Sequence, residues 1–505
     1  MKRTQQALRN ILWGLIEKTI TILCPFVIRT IIIYKLGNEY LGLSSLFSSI
    51  LQVLSLAELG FGDAIIFGMY KPISEHDNKK VGTYLNTFRK IYQLLGVVIL
   101  TIGLLVLPFV KSLINGSYPD DINIYILYII YLLNTVISYF LFAYKESLIK
   151  ANQRNDINSK IYILCNLVMY ILQIVVLLLF KNYYFYAVLL LLCTVAINIL
   201  RSKVVDREYP DIKCEGTLKQ EEVRNLGQRV VGLTINKISQ VFRNSFDSII
   251  ISAFIGLVCL AQYQNYYYIV SALTIVMNVI MTAVGAGIGN GIASESIQKN
   301  YANYKELLFE YSSIATVFTA CMLCLMQDFI TLWVGEDNLL QFSSVIFCSI
   351  YFFSMRLGDV TAIYRQSAGL WWEDRQRPII EAVTNLALNI ILVKYLGVNG
   401  VIISTIISIV VINIPWATHI LFKYYFKINA KQVFMEMLKY SLKAVLCCFV
   451  TYFVCNNINV GSLFGTIILK GLLACLISLV IIIVCNIKNP EVGTFLNRVK
   501  IMVRR

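Results

Sequence analysis

Only two histidines, His76 and His419, occur in 505 residues, and they lie far apart, so a zinc centre has little to be built from. Charge is scarce too: Asp, Glu, Lys and Arg make up 14% of the chain, where a soluble average has about 25%. With 58% hydrophobic residues and a mean hydropathy of +0.69, a water-soluble globule is excluded. Despite a formal net charge of +15, no basic run is long enough to track nucleic-acid phosphates. The short alternating segments of a spanning β-barrel are missing as well, since Ile91 to Val110 and Ala187 to Leu200 are almost continuously apolar. No small-residue cleavage site follows Met1, Lys2 and Arg3, so no removable leader is expected. Most of the thirteen cysteines, including Cys24, Cys165, Cys193, Cys348, Cys447, Cys448 and Cys475, sit in apolar runs, where thiols act as small hydrophobes rather than as a disulfide framework.

What the chain does have is apolar runs of the length that crosses a hydrocarbon core of about 30 Å. Six fall at 10–35, 41–69, 91–114, 122–144, 160–180 and 183–200. After a polar stretch they resume at 230–257, 262–288, 308–334, 342–364, 378–395 and 399–422, and two more, 438–457 and 462–486, follow. The expected fold is an all-α polytopic membrane protein of about fourteen spans. It comprises two pseudo-symmetric six-helix lobes and two C-terminal helices around a central cavity. The expected parts are an N-lobe at 1–204, a cytoplasmic linker at 205–229, a C-lobe at 230–424, and the last two helices with a cytoplasmic tail at 425–505.

The basic residues test this count, because cytoplasmic loops carry the Lys and Arg excess. With the N-terminus inside, inner segments hold 33 of the 44 basic residues and outer loops hold four, Lys35, Lys111, Lys181 and Lys394. A miscount by one span would invert the later loops and erase this asymmetry, so both termini are expected to be cytoplasmic. Each half then enters the membrane from the same side, as in transporters made of two parallel repeats. Outer loops of at most about ten residues leave no room for a catalytic segment outside the membrane, and no enzymatic activity is expected.

A charge at the centre of a span costs about 2.5 to 3.5 kcal/mol, so each one needs a partner or a watery cavity. Lys18 and Arg29, eleven residues apart, share one face of the first span near Pro25. Arg243 and Asp247 share a face of the seventh span, and Arg356 and Asp359 are helical neighbours in the tenth. Glu58 and Asp63 surround Gly60 and Gly62, a glycine pair able to interrupt the second span. Arg29, Lys18, Arg243 and Arg356 are therefore the candidate substrate-binding cations of a cavity, and Glu58, Asp247 and Asp359 the candidate ion-coupling or paired acids. The competing reading makes Arg243–Asp247 and Arg356–Asp359 self-neutralising pairs that fix packing, and lets Lys443 and Lys470 snorkel from span ends. The glycine run from Gly285 to Gly291 follows a membrane helix rather than a strand, so helix contact or a hinge is expected there, not a nucleotide.

Particular strings resemble a known family. YLGLSSLFSSILQVLSLAELGFGDAIIFGMYKP from Tyr40, GLWWED from Gly369, KYLGVNGVIISTIIS from Lys394, and YQNYYYIV followed by GIGN are similar to polysaccharide flippases of the Wzx type, in the multidrug, oligosaccharidyl-lipid and polysaccharide exporter superfamily. Asp63 stands where that family usually has a small residue. The resemblance implies export of an undecaprenyl-diphosphate-linked oligosaccharide repeat unit from the inner to the outer leaflet of a bacterial plasma membrane, by alternating access, for capsule, O-antigen or a similar polymer. It implies no cofactor beyond a proton or sodium gradient, and as partners the lipid-linked substrate, the bilayer and the polymerase and glycosyltransferases of the same pathway. A cation-coupled drug antiporter of the same superfamily would share the topology but want an acidic cavity, and a membrane polysaccharide polymerase would need the missing outer segment.

Overall fold

The computed structural model describes residues 3–58 and 60–487, and among them every regular element is helical. The expected tail after residue 487 lies outside the described residues. Two compact units divide the chain, Met1–Ala261 and Gln262–Arg505.

In the first unit the helices are α1 (Arg3–Lys35), α2 (Asn38–Leu54), α3 (Phe61–Ser74), α4 (Asn78–Val106), α5 (Ile124–Phe140), α6 (Glu146–Ala151), α7 (Asn155–Leu179), α8 (Tyr183–Glu208) and α9 (Gln220–Phe254). Their ends follow from local chemistry. Asp77 accepts the Lys80 amide at 2.9 Å to open α4, and Asn182 accepts the Phe185 amide at 3.1 Å to open α8, so donors that the helix cannot satisfy are met by side chains. Gly37, with φ 120°, makes the turn from α1 to α2, a backbone state that residues with a Cβ rarely adopt.

The linker is shorter and better packed than its composition suggests. α8 continues to Glu208, and the segment at 209–219 lies against α4, where Asn86 Nδ2 donates to the Gly216 carbonyl at 2.8 Å. A Cβ on Gly82 would run into the Lys213 carbonyl, so glycine sets this close approach. α9, expected to open the second lobe, packs in the first unit along α2 and α3.

The second unit takes over within α10 (Leu257–Ser294) and continues through α11 (Ile297–Val334), α12 (Phe342–Ser367), α13 (Arg377–Leu396), α14 (Val398–Ile407), α15 (Ile414–Ile420), α16 (Lys431–Cys455) and α17 (Leu463–Asn486). Two π-helical turns, Ser408–Asn413 and Leu421–Phe426, flank α15 around Pro415. Leu472, Leu476, Val480 and Val484, spaced four apart on α17, are exposed by 60, 59, 59 and 62%, an apolar ridge suited to a lipid surrounding.

Among the described residues eleven helices are long and apolar enough to cross a membrane, or twelve when Ile124–Phe140 and Ala143–Ala151, bent by 55°, are taken as one span. The expected fourteen are not reached, for two physical reasons. The stretch at 41–69 is split into α2 and α3 by the 3-10 turn Ser55–Glu58, and α9 carries too many polar and charged groups for its length. The break in the second expected span falls at the glycine pair. A Cβ on Gly60 would meet the Val230 carbonyl and the Thr234 hydroxyl, so this glycine lets the α9 backbone approach.

Candidate functional site

The break between α2 and α3 opens a cavity of about 500 Å³ inside the first unit. Its charged lining comprises Glu58, Asp63 and Glu146 against Lys150, Arg201 and Lys237. The wall is charge-balanced rather than purely cationic.

Most of these charges are paired in place. Asp63, at the start of α3, meets Lys237 of α9 at 2.8 Å. Glu146 meets Arg201 at 3.0 Å and Lys150, one helical turn on, at 2.5 Å. Arg201 is also fixed by Asn158 and Asn198, each accepting at 3.2 Å, so its guanidinium is oriented by three separate elements. Glu58 is different. Its Oε1 accepts from the Tyr92 hydroxyl at 2.6 Å and its Oε2 from the Tyr139 hydroxyl, and among the described residues no cation lies within ion-pair distance of it. Tyr92 in turn stacks on Phe88, ring centres 4.2 Å apart. The cavity thus offers ion pairs that can be exchanged for a charged ligand, hydrogen-bonding groups for a polar one, and one carboxylate held by neutral donors.

Of the acids named from the sequence, Glu58 lines this cavity. The nominated cations Arg29, Lys18, Arg243 and Arg356 are not among its lining residues. Lys18 is exposed on α1, while Arg29 is half-buried, within electrostatic reach of Tyr186 on α8. Arg243 and Asp247 are both buried on α9. In the second unit Arg356 pairs with Asp359 at 2.9 Å, as the packing reading expected. Asp359 also accepts from Tyr311 at 2.9 Å, and the Arg356 guanidinium lies over Phe352. Lys470 does not snorkel but pairs with Asp328 at 2.7 Å.

Sequence reasoning missed Tyr92, Tyr139, Arg201 and Lys150, and counted Lys237 only as a charge within a span. The available signal was buried tyrosine in two spans beside a lone glutamate. It also missed a buried cluster in the second unit, where Asp374 receives Arg365 and Arg377, and Arg377 reaches Glu381 at 3.0 Å. Asn413, in a π-helical turn, donates to the same Glu381 at 2.6 Å. The i,i+4 spacing of Arg377 and Glu381 was the legible part.

A second cavity, of about 380 Å³, lies within the second unit and is acidic. Among the described residues Glu295, Glu306 and Glu310 line it with several asparagines and no lysine or arginine, Glu295 pairs with Lys299 at 2.6 Å, and Gly287 and Gly291 of the glycine run form part of the wall. Outside the spans, the Lys80 ammonium hydrogen-bonds Glu222 at 2.7 Å and holds its carboxyl below the usual glutamate range, while burial pushes the Cys214 thiol of the linker up.

The stretch that builds the first cavity is also the stretch with a family signature. Residues 7–285 match the family described as polysaccharide biosynthesis protein. The chain belongs to this family. Among solved structures it is similar to "Lipid II flippase MurJ, inward closed conformation", with 15% identity, a TM-score of 0.70, and 95% of this chain and 99% of that chain covered. It is also similar to an inward-facing multidrug resistance MATE family transporter of the MOP superfamily, at 16% identity and a TM-score of 0.61 over 81% of this chain and 97% of that one. A further likeness is to a MOP superfamily transporter from Pyrococcus furiosus, at 14% identity and a TM-score of 0.54, covering 84% and 96% of the two chains. No curated protein sequence matches. At these identities the structural likeness establishes the fold: a multi-pass helical membrane protein of the MurJ and MATE type.

Proposed function

We propose that this member of the polysaccharide biosynthesis family is a Wzx-type flippase. In this reading it carries an undecaprenyl-diphosphate-linked oligosaccharide repeat unit from the cytoplasmic to the outer leaflet of a bacterial plasma membrane, with both termini cytoplasmic, for capsule, O-antigen or a related polymer. The observation that carries this reading is the coincidence of the family match at 7–285 with a charged, hydrogen-bonding cavity inside that same stretch. Polar sugars and a diphosphate must cross a medium of low dielectric, and a pre-formed polar cavity replaces their hydration while the lipid tail stays in the bilayer. Arg201, Lys150 and Lys237 are the cations placed to meet phosphate there, each by releasing an acid partner. Arg29, Lys18, Arg243 and Arg356, outside this cavity, keep the role of substrate-binding cations read from their helix faces. Two six-helix lobes give alternating access to the substrate, the last two helices flank them, glycosyltransferases act before translocation and a polymerase after it. No cofactor is used beyond a proton or sodium gradient, with Glu58 as the carrier.

One observation favours a second reading. The acidic cavity of the second unit is what a cation-coupled drug antiporter of the superfamily would want. Proteoliposomes decide between the two. A flippase moves a labelled lipid diphosphate oligosaccharide to the outer leaflet and ignores organic cations, whereas gradient-driven efflux of an organic cation without lipid movement would overturn the proposal.

A further inference from the structure

The last two helices carry two lysines within their apolar length, and the structure treats them differently. Lys470 of α17 is neutralised by Asp328 of α11 at 2.7 Å. Lys443 of α16 instead donates to Asn486 Oδ1 at 2.6 Å, a neutral partner, and among the described residues no carboxylate lies within ion-pair distance of it. A half-buried ammonium with only an amide for company can meet an anion without first releasing an acid partner. Its depth follows from its partner. Asn486 is the last residue of α17, a helix of 24 residues and therefore about 36 Å long, enough to cross the hydrocarbon core, so the contact sits at the level of lipid headgroups.

The surroundings are built for a polar guest. Ser312, Ser313, Thr316, Tyr440, Lys443 and Asn486 line a crevice formed by α11, α16 and α17. The Ser312 and Thr316 hydroxyls are occupied by the carbonyls of Phe309, at 3.1 Å, and Ser312, at 2.8 Å. The Ser313 hydroxyl makes no hydrogen bond with a described residue. The enclosed space is only about 20 Å³, room for a single oxygen-sized group, so a larger headgroup must rest at the mouth with one oxygen inside.

We propose that this crevice binds the phosphate of an anionic phospholipid of the surrounding bilayer. Lys443 supplies the charge and the Ser313 hydroxyl donates a hydrogen bond to a phosphate oxygen. Basic pockets between membrane helices at headgroup depth recognise anionic lipids in this way. The site goes beyond the flippase reading and does not depend on it.

The test follows the melting temperature of the full-length protein in detergent as phosphatidylglycerol, phosphatidylcholine or a polyprenyl diphosphate is added. Phosphatidylglycerol is expected to raise it more than phosphatidylcholine does, and Lys443→Gln to need about fivefold more phosphatidylglycerol for the same rise. Lys443→Arg and Lys439→Ala, the latter an exposed lysine one turn earlier on α16, should respond like the unaltered protein. An undiminished phosphatidylglycerol response in Lys443→Gln overturns the site. So does a Lys443-dependent response to the polyprenyl diphosphate alone, which would assign the crevice to the carrier lipid. If Lys443→Gln does not fold, Ser313→Ala decides: a weakened response upholds the site and an unchanged one overturns it.

Discussion

Replacing Glu58 by glutamine keeps the size of the side chain and removes its charge, which separates the two jobs the structure gives it. Both carboxylate oxygens are occupied, Oε1 by the Tyr92 hydroxyl at 2.6 Å and Oε2 by that of Tyr139. Hydrogen bonds to a charged group contribute roughly 1.5 to 3 kcal/mol each and neutral ones roughly 0.5 to 1.5. A glutamine keeps one oxygen as a neutral acceptor and turns an amide donor toward the other phenol, which has to rotate its hydroxyl to accept. The loss is therefore about 2 kcal/mol, toward the low end of the difference because the cavity admits water. A double-mutant cycle of Glu58→Gln with Tyr92→Phe, read by reversible unfolding in mixed micelles, should return a coupling energy of about 1 to 2 kcal/mol. In proteoliposomes Glu58→Gln should still bind substrate and allow downhill exchange of a labelled lipid diphosphate oligosaccharide, while an imposed proton or sodium gradient no longer drives it. Gradient-driven flipping by Glu58→Gln at the unaltered rate per folded protein would refute the carrier role. A coupling energy near zero would refute the two-phenol account of how the carboxylate is held.

Arg29→Ala should abolish flipping while the protein still inserts, and Arg29→Lys should keep part of it, since an ammonium preserves charge but loses the fork that grips phosphate; translocation corrected for folded protein reads both. In a background lacking native cysteines, thiols placed near Asn38, Asp337 and Asn459 should react with impermeant reagents from outside and those near Asn158, Glu215 and Glu373 should not, and outside labelling near Glu215 would overturn the proposed orientation. The depressed Glu222 carboxyl links the start of α9 to pH. Its contribution is fully present above the unfolded glutamate value of about 4.3 and is lost as pH falls through the lower folded value. The stability difference between the unaltered protein and Glu222→Gln, read by thermal melts, should therefore shrink in acid, and a difference independent of pH would contradict this.

How far the sequence could be read follows from what each kind of pattern encodes. Apolar run length reports membrane crossing directly, so the spans at 160–180 and 342–364 coincide with α7 and α12. Glycine reports backbone approach, and Gly60 marked the break that opens the first cavity, because its missing Cβ makes room for the α9 backbone. Helical periodicity reports which residues share a face of one helix, which is why Arg356 and Asp359 could be paired before the fold was known. It carries no information on which faces meet. Glu58 was legible as a costly carboxylate, yet its partners sit 34 and 81 residues away on α4 and α5, where Tyr92 and Tyr139 read as ordinary apolar tyrosines. Arg201 was counted among the basic residues that orient the chain, and that count is blind to whether a guanidinium lies in water or against Glu146. The same limit explains Lys443, which read as a snorkelling lysine: sequence gives its distance from the span end, whereas the packing of α16 on α17 supplies the amide that holds its ammonium in the crevice.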